Sequence, residues 1–236
     1  MINKYQKKAF SLIEVLIASS IFAVVLVLTT GVLAQMSVLR LRTAEMRKTN
    51  SAISQLNRQI SDDIRAAGDQ IKIDAGGTLK TFENGIVLMN WDSSSFQYLF
   101  DSSPYAGWDD VEMSSGGNVA RLLVLADDDK YKVYNANFLE KKIFYKEFAR
   151  LNTDGSVKLL TGAEIASIDT SNVISDESLE VYATFVGFAP EIGSTRKEQA
   201  YVSFRTTART KGYDTVSRSL RNKTSVRTSV TSRSYK

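Results

Sequence analysis

From Phe10 to Leu39 the chain is almost entirely apolar or small, and its only charge is the carboxylate of Glu14. A hydrocarbon core is crossed by a helix of about 20 apolar residues, and Val15 to Ala34 supplies such a run. Lys4, Lys7 and Lys8 precede it. This cationic bias predicts an N-terminus that stays cytoplasmic while the rest of the chain crosses. An anchor needs apolar length alone. A carboxylate set into the membrane-bound end of the helix is costly, and so marks function.

The order Lys7-Lys8-Ala9-Phe10-Ser11-Leu12-Ile13-Glu14-Val15 resembles the class III signal of type IV prepilins: a basic leader, a small residue, Phe, then Ser-Leu-Ile-Glu. The resemblance implies that residues 1–9 are a leader and that a membrane-embedded prepilin peptidase cuts between Ala9 and Phe10. The same enzyme would methylate the new amine of Phe10. It further implies that Glu14 meets the charged amine of Phe10 on a neighbouring subunit during assembly. Two unit charges at 4 Å attract by about 4 kcal/mol at an effective dielectric of 20. Desolvation consumes much of that, so such a pair sets docking and register more than bulk stability. Ala9 departs from the family pattern, which usually has Gly before the cut. The alternatives are a carboxylate that snorkels to the headgroups, an uncleaved anchor, and conventional secretory cleavage after Val32-Leu33-Ala34. Against the last, a secretory apolar region is about 7–15 residues long, and this one is far longer.

At 236 residues the chain has room for one membrane helix and one soluble domain of ordinary size. It contains neither Cys nor His. A disulfide framework and a thiolate site are thereby excluded, and the commonest general base and zinc ligand are removed together. The expectation is a non-enzyme without metal or cofactor. Net charge is +4, unevenly distributed. From Arg205 to Lys236 nine cations face one acid, Asp214. The tail is therefore strongly basic and the body before it acidic, a polarised surface able to steer an anionic partner.

Helical character continues past the membrane segment. Apolar residues recur at Met46, Ile53, Leu56, Ile60, Ile64 and Ala67, and from Ile53 the steps of three and four place them on one face. Polar neighbours, Asn57 among them, are expected on the other faces, and Gly68 is a candidate C-terminal stop. The stripe fits a helix packed on its own domain, or a seam with sister subunits. Within the apolar half, Thr29-Thr30-Gly31 contains weak helix formers. Gly31 is either a hinge or a site of close helix packing.

After Gly68 short strands and turns take over. Strands are expected at 71–74, 85–90, 96–100, 120–125, 131–134, 142–148, 156–160, 179–188 and 200–207, with Gly- and Asn-containing turns between several of them. The predicted organisation is α+β: leader 1–9, an assembly half-helix 10–39, an amphipathic half-helix 40–68, an antiparallel β domain 69–212 and a basic strand or tail 213–236.

Gln55 to Gly68 (QLNRQISDDIRAAG) resembles a patch late in the first helix of PilW-type minor pilins and J-type minor pseudopilins, with Arg58, Asp62 or Asp63, and Arg65 in matching places. Leu220-Arg221-Asn222 is similar to a strand ending common near the C-terminus of those families. The resemblance implies a structural subunit of a type IV pilus or a type II secretion-like filament. Its partners would be the membrane, the peptidase, other pilin subunits and the assembly machinery. Three clusters are candidates for more. Asp127-Asp128-Asp129 offers alternating oxygens to a hard cation, or makes an ordinary acidic turn. Trp91, Phe96, Tyr98, Phe100, Tyr105 and Trp108 are either core aromatics or an interface. Arg218, Arg221, Lys223, Arg227 and Arg233 form a candidate anion-binding set for nucleic acid or a surface polymer, or simply a polar edge strand and tail.

Overall fold

The computed structural model describes residues 11–75, 78–82, 85–92, 97–100, 121–137, 140–170, 172–188, 201–212 and 222–231. The chain divides into two compact units, Met1–Glu45 and Met46–Lys236. A single helix, α1 (Leu12–Ala66), contributes to both. Among the described residues twelve strands follow: β1 (Ile71–Ala75), β2 (Thr78–Phe82), β3 (Ile86–Asp92), β4 (Gln97–Phe100), β5 (Arg121–Asp127), β6 (Lys130–Asn137), β7 (Lys142–Ala149), β8 (Leu159–Thr161), β9 (Asn172–Val173), β10 (Leu179–Phe188), β11 (Tyr201–Thr210) and β12 (Lys223–Thr231). A short helix, α2 (Gly162–Ala166), follows β8. Thr161 and Glu164 cap it reciprocally, each side chain bonding the other's backbone N–H.

In the first unit the described part of α1, from Leu12 to Glu45, buries almost nothing, and its large apolar side chains stand exposed from Leu12 to Leu41. In the second unit the strands form three sheets, ordered β4-β3-β5-β6-β7-β9, β10-β11-β12 and β2-β1-β8. The first two are antiparallel throughout, whereas β1 and β8 run parallel. The expected antiparallel domain is therefore built as three sheets with one parallel pair. The parallel pair is closed by the long excursion through β2 to β7, a separation that hairpin reasoning along the chain does not reach.

The six-stranded sheet is covered on both faces. Ile86, Leu88, Leu123, Leu125, Tyr134 and Ala136 point toward α1 and the inner face of β10–β12. The alternate residues, among them Val87, Met89, Leu122, Val124 and Val133, meet Ile71, Ile73, Phe82, Leu160 and Ile165 on the other side. Double coverage explains the unbroken apolar runs Ile86–Met89 and Leu122–Ala126, since each successive side chain enters a different core.

The stripe on α1 is buried as its spacing predicts: Ile53, Leu56, Ile60, Ile64 and Ala67 all enter the core, while Met46 remains 42% exposed. Asn57, expected on a polar face, is buried instead and accepts a hydrogen bond from the Thr206 hydroxyl at 2.5 Å. A polar residue can sit inside such a stripe because the opposing strand carries a matching donor. Nearby, Asn222 donates to the Thr49 hydroxyl at 3.3 Å, and Thr224 donates to Asn50 at 3.0 Å. The helix ends at Ala66, and Ala67 still donates to the Asp63 carbonyl at 3.0 Å, so Gly68 stands directly beyond the last helical hydrogen bond. Gly68 donates its backbone N–H to the Ala126 carbonyl at 3.2 Å, docking the exit of the helix onto β5.

Candidate functional site

The most unusual surface of the protein is the apolar stretch of α1. Its wide-open Leu, Ile, Val and Phe side chains would be costly in water, at about 25 cal/mol per Å² of apolar area. The described helix is long and apolar enough to cross a membrane. Its hydroxyl groups suit that setting. Ser19, Ser20, Thr29, Thr30, Ser37 and Thr43 each donate to a backbone carbonyl three or four residues earlier, at 2.7 to 3.0 Å. A hydroxyl satisfied within its own helix needs no water.

Glu14 lies in the first turn, where one carboxylate oxygen accepts the Ser11 backbone N–H at 3.0 Å. Ser11 precedes the helix, and its carbonyl accepts from the N–H of Glu14 at 2.9 Å. Ser-x-x-Glu is the spacing of a capping box, and the glutamate half of it is formed here. The negative charge thus sits where the helix dipole favours an anion. This second role was legible in Ser11 and Glu14, but the membrane reading of the segment obscured it.

The other sequence candidates are dispersed. Ala9 and Phe10 lie outside the described residues. Gly31 is helical, with open space around the position a Cβ would take. Lys223 and Arg227 belong to β12, while Arg218, Arg221 and Arg233 lie outside the described residues. Of the aromatic group, Trp91 is in β3, Tyr98 and Phe100 are in β4, and Phe96, Tyr105 and Trp108 lie outside the described residues.

Asp127, Asp128 and Asp129 lie at the turn between β5 and β6. Asp127 pairs with Lys132 at 2.7 Å, and the Asp128 and Asp129 carbonyls accept from the Arg150 side chain and backbone. Arg150 also reaches Asp69 at 3.1 Å. Among the described residues no group of three or more His, Cys, Asp or Glu is arranged to hold a metal ion.

The patch late in α1 splits by burial. Asp62 is exposed, 3.8 Å from Arg58 and 3.0 Å from Arg65. Asp63 turns inward, pairs with Lys132 at 2.9 Å and accepts a hydrogen bond from the Tyr134 hydroxyl. Burial and the adjacent Asp63 carboxylate both push the Tyr134 hydroxyl well above its ordinary range, so it remains a donor. Sequence reasoning could not choose between Asp62 and Asp63, because only the position of β6 decides which of them is covered.

A long exposed apolar helix that continues into antiparallel sheets is a pilin-like α+β arrangement. Residues 4–30 match the family model described as the prokaryotic N-terminal methylation motif, which supports a type IV prepilin-like class III signal. The search of curated proteins and the search of solved structures each returned no match. The motif points to type IV pilin-like and pseudopilin proteins in general, and to a structural subunit rather than an enzyme. Together with the apolar helix, it is consistent with a single-pass membrane anchor and with assembly alongside other pilins.

Proposed function

We propose that this protein is a minor pilin or pseudopilin, a subunit of a type IV pilus or a type II secretion-like filament. The observation that carries the reading is the exposed apolar helix with Glu14 in its first turn, inside the stretch that matches the methylation motif. The helix holds the subunit in the membrane before assembly, with the N-terminus cytoplasmic and the sheet domain outside. It then exchanges lipid for the helices of neighbouring subunits, a transfer between apolar surroundings that costs little hydrophobic free energy. Prepilin peptidase cuts between Ala9 and Phe10 and methylates Phe10. Glu14 docks on the amine of the preceding subunit, and Gly31 serves as the point where the helix adjusts on leaving the bilayer. The similarity of Arg58, Asp62 or Asp63, and Arg65 to the PilW-type and J-type patch, with a chain longer than the usual major pilin, supports a minor role.

Mass spectrometry of the protein purified from membranes tests this. The expected N-terminus is N-methyl-Phe10. An intact Met1 would mean a permanently anchored surface binding or adhesion protein, and a chain beginning at Gln35 would mean conventional secretion. Either result overturns the filament reading.

A further inference from the structure

Cations stand on both sides of the apolar run of α1, and the two sets differ in kind. Lys4, Lys7 and Lys8 precede it, whereas Arg40 and Arg42 close it. Both arginines lie in the first compact unit, on the exposed part of the helix. Among the described residues neither side chain has an ion pair or a hydrogen bond. On the membrane reading they emerge on the side away from the cytoplasm, where the bias that places cations inside gives no reason for them. Their depth is set by the helix. From Val15 to Leu39 it rises about 36 Å at 1.5 Å per residue, or about 34 Å along the bilayer normal at an ordinary tilt of about 20°. The hydrocarbon core is about 30 Å thick, and the bilayer with its headgroups about 40–45 Å. The apolar run therefore overfills the core by a few ångströms, and Arg40 and Arg42, just beyond it, fall in the headgroup layer.

We propose that Arg40 and Arg42 bind the phosphates of anionic phospholipids in the leaflet facing the sheet domain, which rests on the membrane reading above. The two positions lie about 160° apart round the helix, so each meets a headgroup of its own. Helical side chains lean toward the N-terminus. That carries the stem of Arg40 back over Met36, and the stem of Arg42 over Val38 and Leu39, all of them exposed apolar residues. A long arginine stem can lie along apolar surface while its charged head stays in the polar layer. The guanidinium is always charged, and its planar fork fits a phosphate through two parallel hydrogen bonds. A lysine is only a point charge, so arginine at this depth suits phosphate recognition more than simple anchoring. A neighbouring subunit is the weaker candidate for the partner. Between Val15 and Ala44 the chain has no acid, so a sister helix at the same depth offers these arginines no carboxylate.

The test inserts the full chain into phosphatidylcholine vesicles and compares how much spin-labelled phosphatidylglycerol and spin-labelled phosphatidylcholine it holds immobile at its surface. Flotation of the vesicles checks insertion separately. At about 0.01 M salt, where screening is weak, the parent is expected to favour phosphatidylglycerol about threefold. R40Q/R42Q should insert as the parent does and lose about half or more of that preference, the remainder coming from the leader lysines at the other leaflet. K142Q/K223Q makes the same charge change in the sheet domain and should keep the parent's preference. A parent that floats with the vesicles yet holds both lipids equally would overturn this proposal and leave the membrane reading intact. A parent that does not float would overturn both. No loss in R40Q/R42Q, or an equal loss in the two double variants, would also overturn the assignment of these arginines.

Discussion

Glu14 combines two uses of one carboxylate. Within its own chain it satisfies the Ser11 N–H at the start of α1, a backbone donor that a helix cannot pair internally. Proposed docking on a neighbour's amine needs the negative charge as well. Glu14→Gln keeps an acceptor of the same shape and removes the charge, so the two uses separate. Membrane insertion and processing should persist, while incorporation into sheared filaments falls about tenfold, or about 1.4 kcal/mol; undiminished incorporation would rule out docking by charge. At the other end of the helix, Asp62 and Asp63 are adjacent in sequence and unequal in energy. Asp63→Asn leaves Lys132 short of a partner in a site where both side chains are 16% exposed. It should lower stability by about 2–3 kcal/mol. Asp62→Asn alters exposed ion pairs alone and should cost about 0.5 kcal/mol or less. Thermal unfolding of the two variants side by side measures the difference. The sequence offered both aspartates equally, since their burial is set by strands about seventy residues further on.

At the scale of elements, the stripe Ile53–Ala67 was legible because a helical period repeats locally. The polar residues inside it were not, since the partners of Asn57 and Thr49 come from β11 and the approach to β12. The junction where α1 gives way to the sheets depends on Gly85. It has φ +65, and a Cβ there would lie 2.6 Å from the Gly68 nitrogen and 2.9 Å from the Asp69 nitrogen. Its carbonyl accepts from Ala126, whose own carbonyl accepts from Gly68. Gly85→Ala therefore combines an unfavourable backbone conformation with backbone overlap. It should cost about 2 kcal/mol or more, read as a lower melting temperature; an unchanged one would show that the junction yields freely. Gly31 has open space in the same test, and the helix runs through it without a break.

For the whole molecule, acid is the sharpest probe of how the elements are tied together. Burial acts to raise the carboxyl of Glu180, but the Gly212 N–H, Arg209 and Lys141 outweigh it and hold the group below its ordinary range. Glu164 behaves likewise, with burial outweighed by Lys158 and Thr161. At Glu147 the hydrogen bonds from Lys130 and Tyr145 depress the carboxyl. A carboxylate depressed by folding contributes stability above its unfolded pKa, about 4.3 for Glu, and that contribution is lost as pH falls through the lower folded value. The melting temperature should therefore hold from about pH 7 to 5 and fall below about pH 4. Glu180→Gln should lower the neutral melting temperature and flatten the acid limb, and an unaltered acid limb would remove Glu180 from this account.

The amino-acid sequence by itself determined the apolar helix with its single charge, the methylation motif, the buried stripe of α1 and the alternation of strands and turns. All of these are written in local stretches of about thirty residues or fewer, which periodicity and composition capture directly. Tertiary structure alone decided the rest. It set the doubly covered central sheet, the parallel pairing of β1 with β8, the choice of Asp63 over Asp62, and the register that brings Arg205 opposite Arg227. Each depends on contacts between segments far apart in the chain, where the partner's position, and not the residue's own neighbours, determines which side chains are buried and which charges meet.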